Sequence, residues 1–210
     1  MKRGRGRIRE TRVAPIFPAS GPVDVMLFGE APGPLGADRS GIPFWGDRSG
    51  RLVWRALADA GLADVPGEAW ANWSGEELAR RGLRPRIARA ALSNAYPSCP
   101  TKDGETFCAP SNAQLADPEN LARIARELDR AARRARATLT VIALGRRAQH
   151  LFEKLAKLGG APPMALRELP HPSAQALLST APRNGRGLRL ADLQAEWLAA
   201  LVRLLVAATS

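Results

Sequence analysis

Two carboxylates, an amide, a phenyl ring and an imidazole stand in this sequence where short apolar runs give way to turns. Glu30 lies in Gly29-Glu-Ala-Pro-Gly33. Phe44 and Asp47 lie in Gly41-Ile-Pro-Phe-Trp-Gly-Asp-Arg-Ser-Gly50. Asn94 begins a turn toward Tyr96-Pro97, and His171 opens His171-Pro172-Ser173. Carboxylates and imidazoles move protons and face developing charge, an amide offers a donor beside an acceptor, and an aromatic face stacks on a flat partner. Each residue also has a plainer reading. Asp47 could cap a helix starting near Ser49, Phe44 could be core, Asn94 could form a turn, and His171 could be a hydrogen-bonded strand-end residue. Glu30 could position water or bond only its own loop. Gly145-Arg146 fits a phosphate contact and a simple turn equally well.

The elements that would position these residues alternate. Val23-Asp-Val-Met-Leu-Phe28 reads as a buried strand, and Gly50 to Ala60 as a helix stopped by Gly61. Residues 62 to 88 are irregular and carry Trp70 and Trp73. A short helical piece there has capping-box spacing from Ser74 to Glu77. Ala90 to Asn94 is a second strand, and Tyr96 to Ala116 a long polar loop of the kind usually functional or disordered. Pro118 to Ala135 is a helix with Leu121, Ile124 and Leu128 as its buried stripe; Arg123, Arg126, Arg130, Arg133 and Arg134 read as a solvated face. Leu139 to Leu144 is the clearest strand. A helix from Arg147 to Leu158, a short strand from Leu166 to Leu169 and an amphipathic helix from Leu190 to Ala207 follow. This alternation predicts a three-layer α/β/α sandwich with a central, mainly parallel four-stranded sheet. In such sheets ligands bind at the carboxyl ends of strands, where all of the residues above fall.

The bulk properties agree with one domain. The chain has 210 residues, 45% hydrophobic and 24% charged, which excludes a wholly disordered protein. Its 31 Lys+Arg against 20 Asp+Glu give a net charge of +11, which suits a polyanion: nucleic acid first, an anionic membrane surface second. No apolar window is long enough for a membrane span. Residues 1–20, with Lys2, Arg3, Arg5, Arg7, Arg9 and Arg12, read as a mobile basic arm, and 21–210 as the single domain. Two cysteines exclude a disulfide scaffold and a four-cysteine metal site within the chain.

The stretch from Gly29 to Gly50 resembles the first motif of the uracil-DNA glycosylase superfamily. Gly46-Asp-Arg-Ser-Gly50 and Arg39-Ser-Gly41 are similar to family 5, and Gly29-Glu-Ala-Pro-Gly33 to family 4. Asn94 and His171-Pro172-Ser173 match the other two motifs in order and spacing, over roughly residues 23 to 205. The resemblance implies excision of uracil, and of other deaminated bases such as hypoxanthine, from DNA in base excision repair, in the cytoplasm and associated with the nucleoid. No lysine nucleophile stands in the motifs, so a monofunctional enzyme is expected, and with no oligomer signal in the loop lengths the expected state is a monomer. The resemblance implies Asp47, His171 and Glu30 as catalytic residues. Phe44 would stack on the flipped base, Asn94 would read its edge, and Ala31, Pro32 and Gly33 would wall the pocket. DNA contacts would come from Ser49, Arg146, Ser173, Arg183 and Arg186, with Arg189 beside them and Leu177 or Leu178 as a wedge in the loop from Ala174 to Arg189.

The chain departs from these families in places. Families 4 and 5 hold an iron–sulfur cluster on four cysteines. Only Cys99 and Cys108 are present, so no cluster, metal or other cofactor is expected, and the long loop needs another anchor, such as the Trp70/Trp73 insert. Leu35 stands where many family 5 members have histidine, and Asp38 is the carboxylate nearest the acidic position of family 4. The competing reading is a catalytically weak or inactive binder of damaged or single-stranded DNA on the same fold.

Overall fold

The computed structural model describes residues 8–159 and 161–210. In chain order the elements are β1 (Val23–Gly29), α1 (Ala37–Ser40), α2 (Arg48–Asp59), β2 (Ala63–Asp64), α3 (Gly67–Ala71), α4 (Gly75–Arg80), β3 (Arg86–Ile87) and β4 (Arg89–Asn94). There follow α5 (Asn112–Leu115), α6 (Pro118–Ala132), β5 (Leu139–Leu144), α7 (Arg146–Leu158), β6 (Met164–Leu169), α8 (Ala174–Thr180), a 3-10 turn (Pro182–Gly185) and α9 (Leu190–Thr209). The main sheet runs β4-β1-β5-β6 and every pairing in it is parallel. β2 and β3 form a separate two-stranded antiparallel ladder.

Strand alternation builds two cores. Val25, Leu27, Leu92, Ile142 and Leu144 point toward α2 and α9, where Trp54, Leu57, Leu201 and Leu205 meet them. Met26, Phe28, Ala91, Val141 and Ala143 point the other way, toward Ile124 and Leu128 of α6 and Leu151 and Phe152 of α7. The rings of Phe28 and Phe152 meet edge-on at 5.0 Å between centroids. Burying side chains of this size is worth about 1.5–3 kcal/mol each, so both sheet faces must be covered. The sandwich is the expected three-layer architecture.

Register decides where chemistry can sit. Gly29 lies beside Asn94, Phe28 beside Ala143, and Leu144 beside Leu169. The four strands therefore end level, and Glu30, Ala95, Gly145 and Pro170 share one rim. The chain goes from β1 to β4 on one side and then to β5 on the other. This reversal places a crevice at the β1/β5 boundary.

Several sequence expectations change. The basic arm expected over 1–20 is packed from Ile8 onward. Ile8 and Val13 are buried, the Val13 amide donates to the Pro97 carbonyl, and Ile16 bridges Leu92 on the edge of β4. Residues 1–7, with the rest of that arm, lie outside the described residues. The irregular 62–88 segment holds two short helices and the β2/β3 ladder. Ser74 does start α4, but its side chain makes no cap bond, and the Glu77 carboxylate pairs with Arg80 instead of closing a capping box. The loop expected after His171 is in part helix α8, started by Ser173, whose hydroxyl oxygen accepts from the Ala176 amide. β6 begins at Met164, two residues earlier than expected, because it is drawn into register with Leu139.

Candidate active site

Asp47 is both a helix cap and a site group. Its Oδ1 accepts from the Gly50 amide at 2.6 Å, starting α2. Its Oδ2 faces the Gly29–Gly33 turn: a Cβ added to Gly33 would lie 3.2 Å from it, and one on Gly36 would lie 2.4 Å from the Asp47 amide nitrogen. Only backbone without side chains can come this close, so the glycines of the first motif seat the carboxylate. Asp47 keeps a little exposed surface but is crowded by protein. Desolvation raises its pKa to about 6, against the opposing pull of the Gly50 and Ser49 amides.

Phe44 and Asn94 meet over Gly29. A Cβ there would lie 2.7 Å from Asn94 Oδ1 and 2.8 Å from the Phe44 ring edge. Asn94 is buried, and its Nδ2 finds no partner among the described residues. Such donors are rare and costly unless a ligand completes them. Phe44 has φ 62°, a left-handed conformation that disfavours a bulky residue. Indole groups hold it there. Trp54 Nε1 donates to the Pro43 carbonyl, Trp45 Nε1 to Leu83 and Trp73 Nε1 to the Asp47 carbonyl at 2.7 Å. Trp45 packs edge-on against Trp54 and Trp73, and Trp73 stacks on Trp70.

Glu30 and His171 meet over Gly145, where a Cβ would lie 2.6 Å from Glu30 Oε1 and 3.0 Å from the His171 Cβ. Glu30 Oε1 accepts from the Arg147 amide, so it also ties down the amino end of α7. The Ser173 amide donates to His171 Nδ1, which leaves the imidazole proton on Nε2. Burial lowers the His171 pKa, partly offset by the Glu30 carboxylate. At neutral pH the ring is an uncharged donor.

The remaining expected residues fall as follows. Ala31, Pro32 and Gly33 run between Glu30 and Asp47, with Pro32 buried. Ser49 lies in the first turn of α2. Arg146, Arg183 and Arg186 are exposed, while Ser173 is occupied as a cap. Leu177 is a core residue, 5% exposed against the α2/α9 layer, so it is not a wedge. Leu178 is half-buried and packs on Gly185. Asp38 is buried at the start of α1, and its Oδ2 accepts from the Arg9 amide.

Arg123 is not on a solvated face. It bridges the buried Glu127, which also accepts from Ser93 Oγ at 2.6 Å, and it donates to the carbonyls of Asn94 and Ala95. Asn120 Nδ2 reaches the Ala95 carbonyl as well. This network fixes the turn that presents Asn94. The apolar stripe of α6 gave no sign of it, since polar residues paired to backbone look like surface in a sequence. A cavity of about 370 Å³ between this turn and α6, lined by Arg12, Tyr96, Ser98, Gln114 and Arg123, holds none of the converging groups.

The residues do not fit an iron–sulfur cluster. The chain has two cysteines. Burial, with the nearby Asp38 and Glu10 carboxylates, pushes the Cys99 thiol up to about 12, opposite to what a ligating thiolate needs. No group of three or more metal-binding side chains occurs among the described residues. The long loop is anchored instead by the N-terminal segment, through Ile8 to Gly104, Val13 to Pro97, and Thr101 to Glu10. The Trp70/Trp73 insert braces the Asp47 loop rather than this one.

The model of the uracil DNA glycosylase superfamily matches residues 18–194. The chain is 48% identical over 42 residues to the Type-5 uracil-DNA glycosylase of Thermus thermophilus; that stretch is 20% of this chain and 19% of the relative's length. The crystal structure of wild-type Pedobacter heparinus SMUG2 has a similar fold, with a TM-score of 0.50 at 13% identity over 87% of this chain and 76% of that one. No helix among the described residues is long and apolar enough to cross a membrane.

Proposed function

This chain belongs to the uracil DNA glycosylase superfamily, and from that premise we propose that it is a monofunctional glycosylase that flips uracil from DNA and hydrolyses its N-glycosidic bond. The observation that carries this reading is the buried, unpartnered Asn94 Nδ2 beside the Phe44 ring. An amide there donates to the uracil O4 and accepts from N3–H; cytosine presents the reverse pattern. Phe44 stacks on the base, a contact worth roughly 1–3 kcal/mol.

Cleavage moves the C1′–N1 bonding electrons onto the base and leaves positive charge on the sugar. His171, neutral with its proton on Nε2, donates to O2 where the negative charge gathers. The Asp47 carboxylate faces the sugar cation and takes the proton of the attacking water. Glu30, tied to the Arg147 amide and facing His171, supports a positioning role for that ring. The products are the free base and an abasic sugar, and the backbone stays intact because no lysine stands among the converging groups.

DNA contacts would come from exposed Arg146, Arg183 and Arg186, and from Ser49 and Ser173 at helix starts. Past α8, Arg183 and Asn184 turn through left-handed conformations and lead to Leu188, 45% exposed, an apolar residue beside these arginines on the same segment. Hypoxanthine and other deaminated bases belong to the same proposal, as do a monomeric state and a place at the nucleoid. The test is a labelled oligonucleotide with one uracil, treated with protein and then alkali, beside hypoxanthine and undamaged lanes. Breakage only after alkali is expected. No breakage with DNA still bound would leave a non-catalytic binder.

A further inference from the structure

Leu35 is the most exposed large hydrophobic residue among those described, at 71%. A lone exposed leucine ordinarily asks for no explanation. This one differs in how its backbone is held. Its carbonyl accepts from the Gly75 amide at 3.2 Å, and a Cβ on Gly75 would lie 2.7 Å from the same oxygen. The next residue, Gly36, bonds back to the Gly33 carbonyl and lies against the Asp47 amide. The main chain is thus clamped between α4 and the Asp47 loop, while the side chain joins neither core. An apolar side chain on a clamped backbone stands on the rim, one residue from the glycine that packs on Asp47.

From this clamped, exposed position we infer that Leu35 enters the base stack of duplex DNA beside the flipped nucleotide and fills space the base leaves. The inference rests on the glycosylase reading above. Flipping costs unstacking energy, and apolar wedges that hold steps apart recover part of it. The net charge of +11 favours a polyanionic duplex as the occupant. A single strand lacks the paired stack of a duplex and closes no gap opposite a partner strand, so the residue is a specificity element for duplex substrate.

The experiment compares the unmodified protein with Leu35→Ala and Leu35→Met on single-stranded and duplex oligonucleotides with one uracil next to 2-aminopurine. Single-turnover rate, 2-aminopurine fluorescence and Tm are read on each. For Leu35→Ala the duplex rate should fall about tenfold or more, with the single-strand rate and Tm within about twofold and a degree or two of the unmodified values. The fluorescence rise on duplex should shrink, and Leu35→Met should restore both. Equal loss on the two substrates, or no loss on either, would overturn the inference while leaving the glycosylase reading standing. Failure of the unmodified protein on both substrates would remove that reading and this one with it.

Discussion

At Asp47 a cap, a cost and the proposed general base share one carboxylate. Its pKa, near 6 in the fold against an ordinary 3.8, means the folded state holds a proton the unfolded chain has already released between those values. Stability therefore falls as pH rises through that window. Above pH 6 the penalty is complete, of the order of 3 kcal/mol. Asp47→Asn keeps a cap oxygen for Gly50 and loses the buried charge. Its Tm should rise by several degrees at pH 7–8 and change little near pH 4, while excision falls at least about 100-fold; a thermal scan and a single-turnover assay read both. In the unmodified protein the excision rate should drop about tenfold per pH unit below pH 6, as Asp47 takes up its proton. A profile flat to pH 5 would place the general base elsewhere. Asp47, Phe44, Asn94 and His171 could be singled out in the sequence because each sits in a motif, Asn94 and His171 at strand ends and Phe44 and Asp47 in the turn before α2. The role of Arg123 could not, since the Asn94 and Ala95 carbonyls it reaches are brought near only by folding.

Among the elements, α4 is the one the sequence half concealed. Ser74 marked its start, but nothing showed that its first glycine packs on two other glycines. A Cβ on Gly46 would lie 2.3 Å from Gly75 Cα, and one on Gly75 would lie 2.3 Å from the Gly36 carbonyl oxygen. Gly75→Ala should push α4 off the Asp47 loop. The expected cost is about 2–3 kcal/mol in urea unfolding, with a larger loss of activity than of stability. Wild-type activity in a destabilised Gly75→Ala protein would show that α4 does not seat Asp47. On the other side, Arg123→Ala strands the buried Glu127 carboxylate and frees the Asn94 turn. About 3 kcal/mol of stability should go, and KM for uracil DNA should rise. The helices of the two layers were readable from their apolar stripes, whereas α8 was not: the short Ala174–Thr180 stretch buries only Leu177.

Across the whole molecule the two ends of the sheet divide the work. At the amino ends, the buried Asp24 carboxylate binds Arg89 at 2.8 Å and Arg136 at 2.9 Å, and both arginines also reach the Thr209 carbonyl at the end of α9. At the carboxyl ends stand the groups that converge. The sheet was predictable from alternation; the packing of residues 8–20 was not, because a run rich in arginine looks the same free or docked. The net charge makes its own prediction. DNA affinity should fall with salt at a log–log slope of about −0.9 per phosphate engaged, so about four contacts give roughly −3.6 in a fluorescence-anisotropy titration. A flat response would mean the charge does not bind DNA.

Four of the five tryptophans form one connected set: Trp70 stacks on Trp73, Trp73 meets Trp45, and Trp45 meets Trp54. Two of them bond the main chain at Pro43 and Asp47, on either side of Phe44. The protein thus carries its own optical probe at the pocket wall. Its ultraviolet emission should shift when a base enters beside Phe44 or when Asp47 changes charge, so occupancy could be followed in real time without any dye.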